Sequence, residues 1–395
     1  MPNSNNILPG NPSHLSFVGN TILAVHPDIK ILLSRSNTGN HTYDGVDIGG
    51  MRLADEIEEY VELLKKEEET QVNRISIIGY SLGGLISRFS IGALYTRKFF
   101  DRVRPIHFAT FASPHVGVRL PERTFFAFLS NHIGPWLLSR TGVQLYLSDG
   151  NGTTCLLEKM TKPGSNFMLG LAEFKDRTLY ANIVNDRSVP YFTAAMTDMD
   201  PFADGDLNVL QYESNYPVIL HQPLPLALPH RHRKIRDWRS IVFVFFLPVL
   251  LVTFLFSSAY QTYHSKRRVN AYKLSKSIST TSKYSDTDEG DPLLSEEMQS
   301  LFETMIDRND DDEAECPDDC SEEEGDHVIE ETNRLNLCAD QRAIIRNMGS
   351  LQWEKVGVHI KNVMHSHAAI IRRINTARYS EGEIVLKHFV DKILV

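Results

Sequence analysis

Residues 74–84 read RISIIGYSLGG: an apolar run enters Gly79-Tyr80-Ser81-Leu82-Gly83-Gly84, and the helix-forming LISRFSIGAL follows. A serine flanked by glycines two residues away on each side, where a strand turns into a helix, has the form of a nucleophile elbow. There the serine is held in a strained backbone conformation, with its hydroxyl above the sheet at the positive end of the helix. Leu82, the next residue, offers a backbone N–H to an oxyanion.

A serine hydroxyl attacks only if a histidine takes its proton, and a carboxylate must orient that histidine. In the fold that carries such elbows the chain order is serine, acid, histidine. Asp186 follows the strand-like run Thr178–Val184, at the end where α/β sheets place their sites; Asp176, Asp198 and Asp200 are less well placed. Histidines before Asp186 are out of order. Of the later ones, His221, His230, His232, His264 and His327 fall in membrane flank or linker, which leaves His359, His365, His367 and His388. His367, after the β-branched stretch 356–363 and just before Ala368-Ala369-Ile370-Ile371, fits a loop at a strand end, and His365 fits almost as well.

The elements that must position these residues alternate strand and helix up to about Leu228. Strands are expected at Ile29–Leu33, Arg74–Tyr80, Ile106–Phe111 and Thr178–Val184, with helices at Met51–Glu68 and from Leu82 to about Arg97. That alternation predicts an α/β fold with a mostly parallel sheet and helices on both faces. Residues 335–395 are expected to return to the core, and the apolar face of Glu383–Val395 must pack on something. Phe125, Phe126, Phe128, Trp136 and Leu137, within residues 124–170, are expected either to cover the site as a lid or to pack in the core.

Composition divides the 395 residues further. Asp286–Glu331 holds 21 acidic residues and one arginine, so the net charge of -9 hides a body with 40 basic against 29 acidic residues, a net +11. Such a body suits anionic lipid headgroups, and no basic tract interleaved with aromatics points to nucleic acid. The uncharged run Ile241–Phe256 lies between His230-Arg231-His232-Arg233-Lys234 and Lys266-Arg267-Arg268 and holds Pro248 near its centre. Basic flanks on both sides and a central proline predict a hairpin dipping into one leaflet rather than a single span. A single span would also put His367 across the membrane from Ser81 and Asp186. The expected division is residues 1–228 as hydrolase core, 229–268 as membrane hairpin, 269–334 as a disordered acidic linker, and 335–395 as the rest of the core. Cys155, Cys316, Cys320 and Cys338 are too few and scattered for a disulfide framework, and the lone pair Cys316/Cys320 is a weak metal signal. Residues 1–12 lack the charge and apolar run of a secretory signal, so the catalytic part is expected to face the cytosol.

At GNPSHL (10–15), SNTGNHTYDGVDIGGMRLADEI (36–57), IIGYSLGGLISRF (77–89), FASPHVGV (111–118), YANIVNDRSVPYFTAAM (180–196) and HAAIIRR (367–373), the sequence resembles the lipase-like "putative serine esterase" family of the α/β-hydrolase superfamily. Within that family the likeness is greatest to fungal phospholipases of lipid droplets. The resemblance implies a Ser81, Asp186, His367 triad, no cofactor and no metal, phospholipid or acylglycerol ester substrates, and residence on a lipid droplet or endoplasmic reticulum membrane. It also implies a departure. The family's strand and His-Gly motif ahead of GNPSHL are expected to be missing, with Asn6-Ile7-Leu8-Pro9-Gly10 in their place. Leu8 then inherits an oxyanion amide without a supporting strand, as in a chain with further coding sequence upstream or a degenerate copy. Losing one such donor costs about 10²–10³ in rate. The rival functions are a catalytically impaired, membrane-docked interaction protein and a thioesterase or deacylase of lipidated proteins.

Overall fold

The computed structural model describes residues 4–8, 12–121, 125–150, 154–203, 205–222, 228, 259–275 and 334–392. Eight strands form one sheet in the order β2-β1-β3-β4-β5-β8-β7-β6: β1 Ser4–Leu8, β2 Lys30–Leu33, β3 Arg74–Tyr80, β4 Arg104–Phe111, β5 Asp176–Asn182, β6 Tyr212–Glu213, β7 Tyr216–Leu220 and β8 Glu354–Val358. Six run parallel, from β2 through β8, and the β6–β7 hairpin closes the far edge antiparallel. This is the mostly parallel sheet with helices on both faces expected from the alternation of elements, and it fits the α/β-hydrolase fold that the resemblance implies.

Side chains alternate along each central strand, so both faces are buried. On one face Ile75, Ile77, Phe108 and Leu179 meet Leu53 and Ile57 of α2 (Val46–Glu67) and Leu85 and Ile91 of α3 (Leu82–Thr96). On the other Ile78, Ala109, Phe111, Tyr180 and Val356 meet Leu15, Val18 and Ile22 of α1 (Pro12–Val25) and Val385, Phe389 and Val390 of the last helix, Glu381–Lys392. The apolar face of the C-terminal tail therefore packs against the sheet beside α1.

The strand expected to be missing ahead of GNPSHL is present. β1 lies between β2 and β3, with Ile7 level with Leu32 on one side and Ile77 on the other. Ser4-Asn5-Asn6 carries no strand signal of its own. The segment is extended because two parallel ladders present bonding edges to it, and tertiary context overrides weak local propensity.

A second correction concerns residues 259–275, which composition divided between hairpin and linker and which form one helix against the core. Its Arg268 donates to both oxygens of Asp44 at 2.9 and 3.2 Å and to the Asn40 carbonyl at 2.9 Å. Asp44 is fully buried and also pairs with Arg52 at 2.9 Å. Tyr272 donates to Asp55 at 2.9 Å, and Arg52 lies over its ring. A buried carboxylate demands paired partners, and one of them, Arg268, comes from 224 residues away. Arg268→Ala is expected to lower stability in urea unfolding by about 2 kcal/mol, since Arg52 still shields Asp44, and to speed tryptic cleavage at Lys266 and Arg267. The apolar run 241–256 and most of the acidic linker lie outside the described residues, and no helix among the described residues is long and apolar enough to cross a membrane.

Candidate active site

The C-terminal ends of β3, β5 and β8 lie at one edge of the sheet, and the chain leaving each carries one functional side chain. Ser81 follows β3 directly. Its φ of 53° and ψ of -129° are the strained geometry of an elbow, and the next residue, Leu82, opens α3. The turn closes because Gly79 and Gly84 touch: a Cβ on Gly79 would stand 2.5 Å from the Gly84 Cα and 2.7 Å from its N. The Ser81 N–H bonds the Phe111 carbonyl at 3.0 Å, extending the β3–β4 ladder to the nucleophile.

Asp186 sits four residues beyond β5 in a tight loop. Its Oδ1 accepts the N–H groups of Ser188 at 3.1 Å and Val189 at 2.8 Å, and its Oδ2 accepts the Asn182 amide at 2.8 Å. Burial by itself drives this carboxyl upward. The charge and hydrogen bond of His367, with the bonds from Asn182 and Val189, outweigh burial and hold it below the usual carboxylate range. It is therefore an anion at neutral pH.

His367 lies in the short helix Ser366–Ala369, after β8. Its Nδ1 is 2.9 Å from Asp186 Oδ2 and its Nε2 is 2.9 Å from Ser81 Oγ. The imidazole bridges carboxylate and hydroxyl in the order needed to pass the serine proton to Nε2 while Nδ1–H stays on the acid. The structure thus brings together three residues that are 105 and 181 positions apart in sequence. His365, the rival, stacks parallel to His367 with ring centres 6.1 Å apart. Ser366 fixes which ring faces inward: its N–H donates to the Asn185 carbonyl at 3.0 Å and its hydroxyl to that of Val184 at 2.9 Å.

Other candidates fall elsewhere. Asp176 begins β5 at the opposite edge, near His107; Asp198 pairs with Arg334 at 3.2 Å; Asp200 accepts the N–H groups of Phe202 and Ala203. His359 bonds Tyr212, and His388 bonds Tyr180 within the core. Both oxyanion candidates are backbone amides. Leu82 is in place at the start of α3, where amides lack intrahelical partners. Leu8 is the last residue of β1, and residues 9–11 lie outside the described residues.

Helix α5 (Ser139–Leu145) lies over the loop before α2, and α4 (Phe125–Leu137) packs against α5. Arg140 pairs with Asp47, Gln144 exchanges bonds with Asp47 and Val46, and Thr141 accepts the Gly45 N–H. Phe128 and Trp136 are 50% and 70% exposed, so core packing does not account for them. The side chains of Phe125 and Phe126 lie outside the described residues, as do Cys316 and Cys320. Cys155, Glu158 and Asp340 hold ligand atoms within 4.8 Å of one another, and burial pushes the Cys155 thiol up to about 12.

Comparison with known proteins agrees with this geometry. Residues 7–198 match the family described as "Putative serine esterase (DUF676)". The chain is 35% identical over 162 residues to "Putative lipase YDL109C" and 34% over 181 residues to "Putative lipase ROG1", both of Saccharomyces cerevisiae, and 27% over 175 residues to "Putative lipase C4A8.10" of Schizosaccharomyces pombe. These matches cover 40%, 44% and 42% of this chain but only 23%, 24% and 22% of those proteins. The chain therefore matches about a quarter of the length of these relatives. A solved structure titled as a putative cell surface hydrolase from Lactobacillus plantarum aligns over 49% of this chain and 74% of its own, at 13% identity and a TM-score of 0.26. That score is too low to argue from, and the fold rests on the strand order above.

Proposed function

We propose, from the match of residues 7–198 to this serine esterase family, that the chain is a serine hydrolase cleaving the carboxylic esters of phospholipids or acylglycerols at a lipid surface. The observation that carries the proposal is the continuous Ser81–His367–Asp186 bridge, with both contacts at 2.9 Å. Ser81 Oγ attacks the ester carbonyl carbon while His367 Nε2 takes its proton and Asp186 stabilises the imidazolium. The carbonyl oxygen, now an anion, faces the Leu82 N–H, with the Leu8 N–H as the second donor. Collapse of the tetrahedral intermediate breaks the C–O bond, and His367 returns the proton to the leaving alcohol. Water activated by the same histidine then releases the fatty acid and restores Ser81.

Three features support the lipid surface. The proteins it resembles are named lipases. The sequence holds an uncharged run at 241–256 between two basic clusters, and the helix 259–275 that follows is anchored on the catalytic core through Asp44. Exposed Trp136 on α4 and Tyr260 and Tyr263 on that helix are amphipathic rings of the kind enriched where protein meets headgroups, and exposed Phe128 adds an apolar one. Residence on a lipid droplet or endoplasmic reticulum membrane, with the catalytic part toward the cytosol, follows from this reading. The test is turnover by the full chain of long-chain phospholipid vesicles, triacylglycerol emulsion and an acylated peptide. Faster release of fatty acid from either lipid is expected; preference for the peptide makes the chain a deacylase of lipidated proteins instead.

A further inference from the structure

Tyr80, the last residue of β3 and the one before the nucleophile, is drawn into the site by two contacts that the hydrolytic scheme does not use. Its hydroxyl donates to the backbone carbonyl of His367 at 3.1 Å, across 287 residues of sequence. Its ring lies beside the His367 imidazole, with centres 5.1 Å apart and planes tilted by 35°.

The histidine reaches the site on a helix of four residues, too short to hold itself in place. On the acid side its segment is tied down by the two bonds from Ser366 to the Val184 and Asn185 carbonyls and by Asp186 itself. Those bonds fix His367 relative to β5. They tie it to β3, which carries Ser81, only through β4, and the catalytic distance is the one between Ser81 Oγ and His367 Nε2. Tyr80 spans that gap. Its backbone is the last residue of β3, one residue before the nucleophile, and its side chain ends on the histidine backbone. The reach of one rigid aromatic side chain therefore sets how far the histidine stands from the elbow, and its ring closes one flank of the imidazole. A tyrosine suits this role because it combines a stiff body having two rotatable torsions with a hydrogen-bonding tip.

We propose that Tyr80 is a positioning residue that holds His367 at proton-transfer distance from Ser81. This rests on the serine hydrolase reading above. In Tyr80→Phe the ring remains and the carbonyl loses its donor, so the histidine backbone is free to drift. Since displacement of a reacting group by about 1 Å can cost about 10²-fold, loss of the hydroxyl alone is expected to lower kcat about tenfold, and Tyr80→Leu, which removes the ring too, about 10²-fold.

The full-length chain, its Tyr80→Phe and Tyr80→Leu variants and Ser81→Ala are assayed with p-nitrophenyl butyrate and with a fluorophosphonate probe. Thermal midpoints are recorded alongside. The expected result is a fall in kcat and in the fluorophosphonate labelling rate by the same factor, with KM within twofold of wild type and the Tyr80→Phe midpoint unchanged. Tyr80→Phe decides the matter if Tyr80→Leu does not fold. An unchanged kcat in Tyr80→Phe overturns the assignment, as does a rise in KM at constant kcat, which makes Tyr80 a substrate contact. Wild-type protein that does not label overturns the hydrolase reading as well, and that result is read from wild type alone.

Discussion

Ser81→Ala is expected to abolish fluorophosphonate labelling and to lower ester turnover by about 10⁶-fold, the scale seen when the nucleophile of such a triad is removed. The fold should survive, because the Ser81 backbone N–H bond to Phe111 does not need the hydroxyl, and alanine adds no atoms to the elbow. The positive φ at this position, 53°, strains alanine no more than serine. His367→Ala should cost as much as Ser81→Ala, and the double variant no more than either, since the residues act as one unit. His365→Ala is the control: its ring is stacked on that of His367, and it should keep most of the activity. A large loss in His365→Ala with His367→Ala intact would reverse the assignment of the base. Labelling that persists in Ser81→Ala would remove the nucleophile altogether. A folded chain that never labels would overturn the hydrolase reading and put the interaction-protein reading in its place.

The parts of this site that could be read from sequence are those determined locally. The elbow is one, because strand, glycine turn and helix are contiguous and each leaves its own pattern within residues 74–97. Asp186 is another, because it follows a run of strand residues at the correct distance. The choice between His365 and His367 was not local. One residue separates them, both are buried, and the inward ring is selected by the bonds of that residue, Ser366, to Val184 and Asn185, which sequence does not display. The two errors have the same origin. β1 is extended because β2 and β3 need a strand between them, although Ser4-Asn5-Asn6 gives no sign of it. Residues 259–275 resembled a membrane flank running into a polar linker, because the partner of Arg268, Asp44, lies on the far side of the catalytic core in sequence. Polar segments that gain structure from distant partners escape periodicity and composition alike.

Asp186→Asn should lower kcat by about 10⁴-fold with little change in the position of any backbone atom. The amide can still accept bonds from Ser188 and Val189 through its oxygen. It presents N–H groups where the carboxylate accepted His367 Nδ1–H, so the imidazole turns to the wrong tautomer or loses its orientation. The same carboxylate has a second, measurable consequence. Its native pKa is depressed, so folding favours the ionised form. A group of that kind adds stability above its unfolded value of about 3.9 and loses it as pH falls through the native value. The wild-type chain should therefore be more stable than Asp186→Asn at pH 7, and the gap should narrow as the pH is taken below about 4, because protonated Asp186 and the asparagine that replaces it then carry the same charge. Urea unfolding of both proteins from pH 7 to pH 3 checks the sign. A gap that widens toward acid would mean that burial, rather than His367 and the loop amides, governs the carboxyl, and Asp186 could then not be the anion that orients the base.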